Sequence, residues 1–223
     1  PNFLIDETRL DIRLEAESAT VKARLAMRRN PAGKAGAPLI LDGVGLETRR
    51  LALDGRSLDA SEFRIADGKL QLLDDLPARF MLESEVVIHP HLNTALEGLY
   101  RSGKMFCTQC EAEGFRKITW YLDRPDVMAV FTTTITADAT RYPVLLSNGN
   151  PVGQGRNADG THWATWHDPF PKPCYLFALV AGDLRHVANC FTTASGRQVE
   201  LRIYVEEKDL GKCGHAMVSL QKA

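Results

Sequence analysis

The sequence predicts an all-β fold, an antiparallel saddle-like β-sandwich with short helical segments near residues 111–124 and at the C-terminus. Two observations carry that prediction: side chains alternate at the strand period of two, and glycine turn pairs recur at short intervals. Residues 10–14 read Leu-Asp-Ile-Arg-Leu and residues 21–27 read Val-Lys-Ala-Arg-Leu-Ala-Met. Such alternation suits antiparallel strands with one wet face. The turn signals are Asp54-Gly55, Asp67-Gly68, Asn148-Gly149 and Asp159-Gly160, the dipeptides that close two-residue hairpins. Residues 63–66 and 70–73 flank Asp67-Gly68-Lys69, which predicts a hairpin there. Further strands are expected at 79–89, 129–138, 143–148, 161–167, 174–189 and 197–205.

Two stretches leave this rhythm. Residues 111–124 open with acidic side chains and Gly114, the pattern of a short helix or irregular turn, and the tail from Glu207, with Leu210, Ala216, Met217 and Leu220, starts a helix. The Ala/Gly/Pro-rich stretch 30–38 is short enough to be a loop. The prolines at 169, 171 and 173 fit either a docking segment for an SH3-like partner or a rigid inter-strand loop. With no internal repeat and no linker, residues 1–223 read as a single domain.

Composition narrows the function classes. The 223 residues are 44% hydrophobic and 25% charged, ordinary for a globular protein and unlike a disordered or collagenous chain. A chain of this length buries about 70% of its surface on folding, enough for a core without staples. Residues 1–110 carry 15 basic and 16 acidic side chains and residues 111–223 carry 12 of each. A nucleic-acid partner calls for a basic face or tail, which this balance does not provide. The longest apolar stretch, Tyr175 to Ala181, is far short of the ~20 residues of a membrane span, so no membrane partner is expected. No basic-then-apolar leader opens the chain, and five cysteines make an odd set, which together predict free thiols in a reducing, cytoplasmic setting. Pro1 at the start and the mid-pattern stop at Ala223 lead to the expectation of a domain cut from a longer protein.

A complete active site is not legible. His-Glu-x-x-His, a phosphate-cradling glycine loop, a dinucleotide fingerprint and a Gly-x-Ser-x-Gly elbow are all missing. Cys107-Thr108-Gln109-Cys110 lacks the second pair of a zinc ribbon. His89 and His91 flank a proline and read as loop histidines; His162 and His167, an odd number apart, face opposite sides of a strand. The segment 106–116, Phe-Cys-Thr-Gln-Cys-Glu-Ala-Glu-Gly-Phe-Arg, is denser in polar function. If its strand continues far enough, Gln109 and Glu111 share one side, and an amide oxygen beside a carboxylate is an acceptor cradle for an ammonium group. The same residues also fit an exposed edge whose carboxylate caps a helical turn.

Four blocks decide between these readings. They are 109–116 (Gln-Cys-Glu-Ala-Glu-Gly-Phe-Arg), 121–126 (Tyr-Leu-Asp-Arg-Pro-Asp), 142–150 (Tyr-Pro-Val-Leu-Leu-Ser-Asn-Gly-Asn) and 168–183 (Asp-Pro-Phe-Pro-Lys-Pro-Cys-Tyr-Leu-Phe-Ala-Leu-Val-Ala-Gly-Asp). In this order they closely resemble the N-terminal domain of the bacterial aminopeptidase N family of gluzincin zinc aminopeptidases, and the resemblance covers essentially the whole chain. It implies a β-saddle that covers a thermolysin-like catalytic domain in enzymes that remove N-terminal amino acids from peptides. The family's Met-Glu-Asn loop, zinc helix and further glutamate ligand are not in this chain, so zinc is expected in the parent enzyme, on a catalytic domain this fragment lacks. The fragment alone is then expected to be inactive. Peptides with a free N-terminus and the chain's own catalytic domain are the implied partners. By the same resemblance Gln109 and Glu111 bind substrate. Glu111 would hold the free α-ammonium as a buried carboxylate costly to leave unpaired, and Gln109 would line the pocket for the first side chain. Glu113, Arg116 and Asp123 are expected to shape the loop as a salt-bridged turn. A non-catalytic β-sandwich interaction module of a zinc-less relative is the alternative.

Overall fold

Alternation sets the first hairpin. In the computed structural model, which describes residues 1–73 and 75–223, strands Phe3–Leu14 and Ala19–Arg29 pair antiparallel, from Phe3 against Arg29 to Leu14 against Ala19. Leu10, Ile12 and Leu14 bury against Val21, Ala23 and Leu25, while Asp11, Arg13, Lys22 and Arg24 face solvent. A bulge between Ile5 and Glu7 moves the buried set from odd positions (Phe3, Ile5) to even ones (Thr8, Leu10, Ile12), because one inserted residue flips every later side chain.

This hairpin lies inside an eight-stranded sheet ordered Asn150–Arg156, Thr161–Pro173, Met128–Asp138, Phe3–Leu14, Ala19–Arg29, Arg79–Ile88, Glu47–Leu53, Arg56–Ser57. Its pairings are antiparallel except that Phe3–Leu14 runs parallel to Met128–Asp138, a pairing that needs the long crossover the intervening chain supplies. A four-stranded sheet follows the order Val144–Ser147, Leu179–Gly182, Met105–Gln109, Gly98–Ser102, and a three-stranded one the order Ile40–Asp42, Lys69–Leu72, Phe63–Ala66. Inward side chains of all three, such as Ile12, Phe131, Phe106, Leu179, Leu41 and Leu70, join one continuous core. The predicted hairpin pairs Phe63–Ala66 with Lys69–Leu72 through Asp67 (φ 51°) and Gly68 (φ 70°), the two positive φ angles of a type I′ turn.

The described residues cluster into two compact units, Pro1–Ala181 and Gly182–Ala223. The second is a hairpin of Arg185–Thr192 and Gln198–Val205, a 3-10 turn Glu207–Lys212 and a helix Cys213–Lys222 that buries Cys213 and Met217. Those two residues are four apart and so lie on one face. The tail helix and the helical turn near residue 115 both stand where the sequence predicts them.

Two expectations need correction. The strand from Thr161 does not stop at 167 but runs to Pro173, so the prolines lie in a strand rather than an inter-strand loop. Its ladder skips from Asp168 opposite Phe131 to Lys172 opposite Ala129. Pro169 and Pro171, which cannot donate to a ladder, occupy the irregular gap between those pairs. The expected strand 174–189 is three elements: a 3-10 turn Cys174–Leu176, a strand Leu179–Gly182 and a strand Arg185–Thr192.

Candidate functional site

The polar segment begins on strand Met105–Gln109, held on one side by Gly98–Ser102 and on the other by Leu179–Gly182. Phe106 points into the core. Where the ladder to Leu179 ends, Thr108 continues it with its side chain: Oγ1 accepts from the Leu179 N–H at 2.8 Å and donates to the Leu179 carbonyl at 3.4 Å. Gln109 is the last strand residue and pairs with Gly98.

The strand stops there, so Glu111 does not follow Gln109 by strand alternation; it opens a turn. Cys110 is buried, and its carbonyl accepts from the Gly114 N–H at 2.9 Å. A single 3-10 turn, Phe115–Lys117, follows. The Glu111–Ala112 peptide is cis. Two glycines let the turn close on the strands. A β-carbon on Gly114 would lie 2.6 Å from the Gln109 carbonyl oxygen and 2.9 Å from the Gly98 nitrogen. One on Gly98 (φ +71°) would lie 2.7 Å from Lys117 Cβ. Phe115 then plugs into an aromatic nest, its ring 4.7 Å from Tyr121 and 5.3 Å from Phe177.

The acidic groups around this turn are used internally, with one exception. Lys117 Nζ pairs with Glu97 at 2.7 Å and holds its carboxyl below the usual range. Arg116 pairs with Glu113 at 3.0 Å and Asp123 at 2.9 Å, and Arg124 pairs with Asp126 at 2.7 Å. The salt-bridged turn expected of Glu113, Arg116 and Asp123 is therefore present. Glu111 is exposed, and among the described residues its carboxylate has no hydrogen-bond or ion-pair partner; the same holds for the side chain of Gln109. The exposure departs from the buried carboxylate expected for ammonium recognition. Among the described residues nothing covers Glu111, so any desolvation there has to come from a body packed over the turn.

The other features marked in the sequence resolve into structure. His89 Nε2 donates to Glu47 Oε1 at 2.8 Å, and its ring lies 6.0 Å from that of His91. His162 donates to the Tyr142 carbonyl at 2.7 Å, whereas His167 bonds Thr132 Oγ1 at 3.0 Å. All five cysteines are free. Among the described residues no three His, Cys, Asp or Glu side chains gather into a metal site. The described residues therefore offer no ligand set for the zinc that the resemblance implies for the parent enzyme. Sequence reasoning missed Thr108 and Gly98, which fix the strand end and the turn. Gly98, the first residue of strand Gly98–Ser102, was the available signal.

Sheets that are antiparallel but for one pairing thus carry, among the described residues, an unpartnered amide at a strand end and an unpartnered carboxylate on a glycine-closed turn. The family of the chain follows from comparison. Residues 6–176 match the peptidase M1 N-terminal domain, and the chain belongs to that family. Within it, the chain is 48% identical over 223 residues to aminopeptidase N of Escherichia coli strain K12, and 48% identical over 221 residues to aminopeptidase N of Caulobacter vibrioides. It spans only 25% of the length of each of these relatives. Among solved structures, Legionella pneumophila aminopeptidase A in complex with aspartic acid superposes with a TM-score of 0.95 at 32% identity, over 99% of this chain and 26% of that one. An M1 zinc metallopeptidase from Deinococcus radiodurans, at 17% identity and a TM-score of 0.75, shares the fold.

Proposed function

We propose that this chain is the N-terminal substrate-recognition part of a zinc metalloaminopeptidase that removes N-terminal amino acids from peptides. Its relatives are aminopeptidases, and it matches a quarter of their length. The observation that carries the reading is the presentation of Glu111 and Gln109. Their side chains lack partners among the described residues, on a turn where each neighbouring carboxylate is already paired. A carboxylate of this kind suits an α-ammonium, which needs a charged acceptor, and an amide beside it suits the border of the first side-chain pocket.

In this reading the catalytic part of the parent supplies the zinc and the hydrolysis, and also the wall that covers the turn. The isolated chain is inactive on peptides. The five free thiols support a cytoplasmic parent. A charged hydrogen bond contributes about 1.5–3 kcal/mol, so Glu111→Ala in the full-length enzyme lowers kcat/KM on a free-amine substrate by roughly 10- to 150-fold. Steady-state kinetics on an aminoacyl p-nitroanilide tests this, and unchanged kinetics would remove Glu111 from the site.

A further inference from the structure

Beneath the Glu111 turn lies a buried carboxylate with no part in the recognition just described. Asp123 exposes 1% of its side chain. Its Oδ2 accepts from the Arg116 backbone N–H at 3.1 Å and from Arg116 Nε at 2.9 Å, while its Oδ1 accepts from the Cys174 thiol at 3.1 Å. The same guanidinium bonds the Asp123 carbonyl at 3.3 Å and reaches Glu113, two residues beyond Glu111.

These contacts close a ring around the site. Cys174 opens the 3-10 turn that leads to Leu179, whose N–H and carbonyl are both held by Thr108. Between them Asn148 clamps the backbone, accepting from the Ala178 N–H at 2.6 Å and donating to the Leu176 carbonyl at 3.1 Å. Thr108 leads to Gln109 and Glu111, the turn leads to Arg116, and Asp123 joins Arg116 back to Cys174. An ion pair in so dry a place is a poor device for stability alone, since an apolar replacement of like volume often serves as well. A fully satisfied polar network instead fixes geometry.

We infer that Asp123 is a positioning residue for N-terminus recognition, acting through Arg116 to hold the turn at the angle from which Glu111 meets an α-ammonium. The inference rests on the reading of Glu111 given above. The test is a double-mutant cycle in the full-length enzyme. Asp123→Asn and Arg116→Lys are each made alone and in the Glu111→Ala background. The readouts are kcat and KM on an aminoacyl p-nitroanilide, and the denaturant midpoint.

Small displacements of a binding group cost up to about 100-fold, so each variant alone is expected to lower kcat/KM by about 10-fold, chiefly through KM. In the Glu111→Ala background the same changes should cost less than about 2-fold, because coupled residues are non-additive. The shift in denaturant midpoint should be equal in both backgrounds. If Glu111→Ala is itself silent, the recognition reading fails. If Glu111→Ala is costly but Asp123→Asn and Arg116→Lys cost the same in both backgrounds, or nothing in either, recognition stands and positioning by Asp123 is overturned. Arg116 is half-buried, so Arg116→Lys still decides the question if Asp123→Asn does not fold.

Discussion

Glu111 and Glu113 are both exposed carboxylates in one turn, yet Glu113 is taken by Arg116 and Glu111 is left open. The turn that carries both closes on the strands at Gly114. With φ −80° Gly114 needs no special conformation; what it needs is space, because an added methyl would meet backbone atoms of Gln109, Gly98 and Cys110 within 3.0 Å. Gly114→Ala is therefore expected to cost about 1–3 kcal/mol, the range for forcing volume into a packed site. A urea titration measures it, and a midpoint equal to the parent's would mean that the turn is not held against the strand. At this scale the sequence was only partly legible. Residue types alone mark the segment as polar and dense, but the roles of Gln109 and Glu111 come from the resemblance, and placing both on one side by alternation needs a strand that in the structure stops at Gln109.

The elements were legible wherever one face is wet. Residues 10–14 and 21–27 alternate because their sheet has a solvated side, and both lie in strands as predicted. Legibility fell where a segment is apolar throughout. The run from Tyr175 to Ala181 carries no period, so a 3-10 turn and a strand start inside it could not be told from one long strand. The prolines misled for the opposite reason, since an irregularity in the ladder lets a strand keep residues that a regular ladder excludes. The same elements predict thiol accessibility. Cys110, Cys174 and Cys213 are buried, Cys107 is half-buried on the carrier strand, and Cys190 is exposed on Arg185–Thr192. Burial pushes the Cys110 thiol up to about 12 and Cys174 higher still, which further suppresses the reactive thiolate. With a thiol reagent at neutral pH, Cys190 should react first and Cys107 more slowly, the other three only on unfolding. Early labelling of Cys110 or Cys174 would contradict the packing of the turn.

For the whole molecule, the sheets of Pro1–Ala181 share one core, and that core has an alkaline weakness. Unfolded thiols ionise near about 8.5 and tyrosines near about 10. In the fold, burial raises Cys110 to about 12 and raises Cys174 and Tyr121 beyond that, with the Thr8 hydrogen bond only partly offsetting the effect at Tyr121. Above the unfolded values the unfolded chain has released protons that the folded chain still holds, so stability is intact at neutral pH and falls as pH rises. The slope is about 1.4 kcal/mol per pH unit for each such group. Urea midpoints from pH 7 to pH 10.5 should fall progressively, and Cys174→Ala should flatten the curve. A flat profile in the parent would mean these groups are not buried as described.

The proposed recognition of a free N-terminus turns on Glu111 as its acceptor, and the most direct measurement is a selectivity ratio. In the full-length enzyme, kcat/KM is compared between a free-amine substrate and its des-amino analogue, before and after Glu111→Ala. The expected result is a strong preference for the amine in the parent that shrinks by roughly 10- to 150-fold in the variant, because only the substrate carrying the ammonium loses a partner. An equal loss on both substrates, or a ratio that does not move, would contradict it.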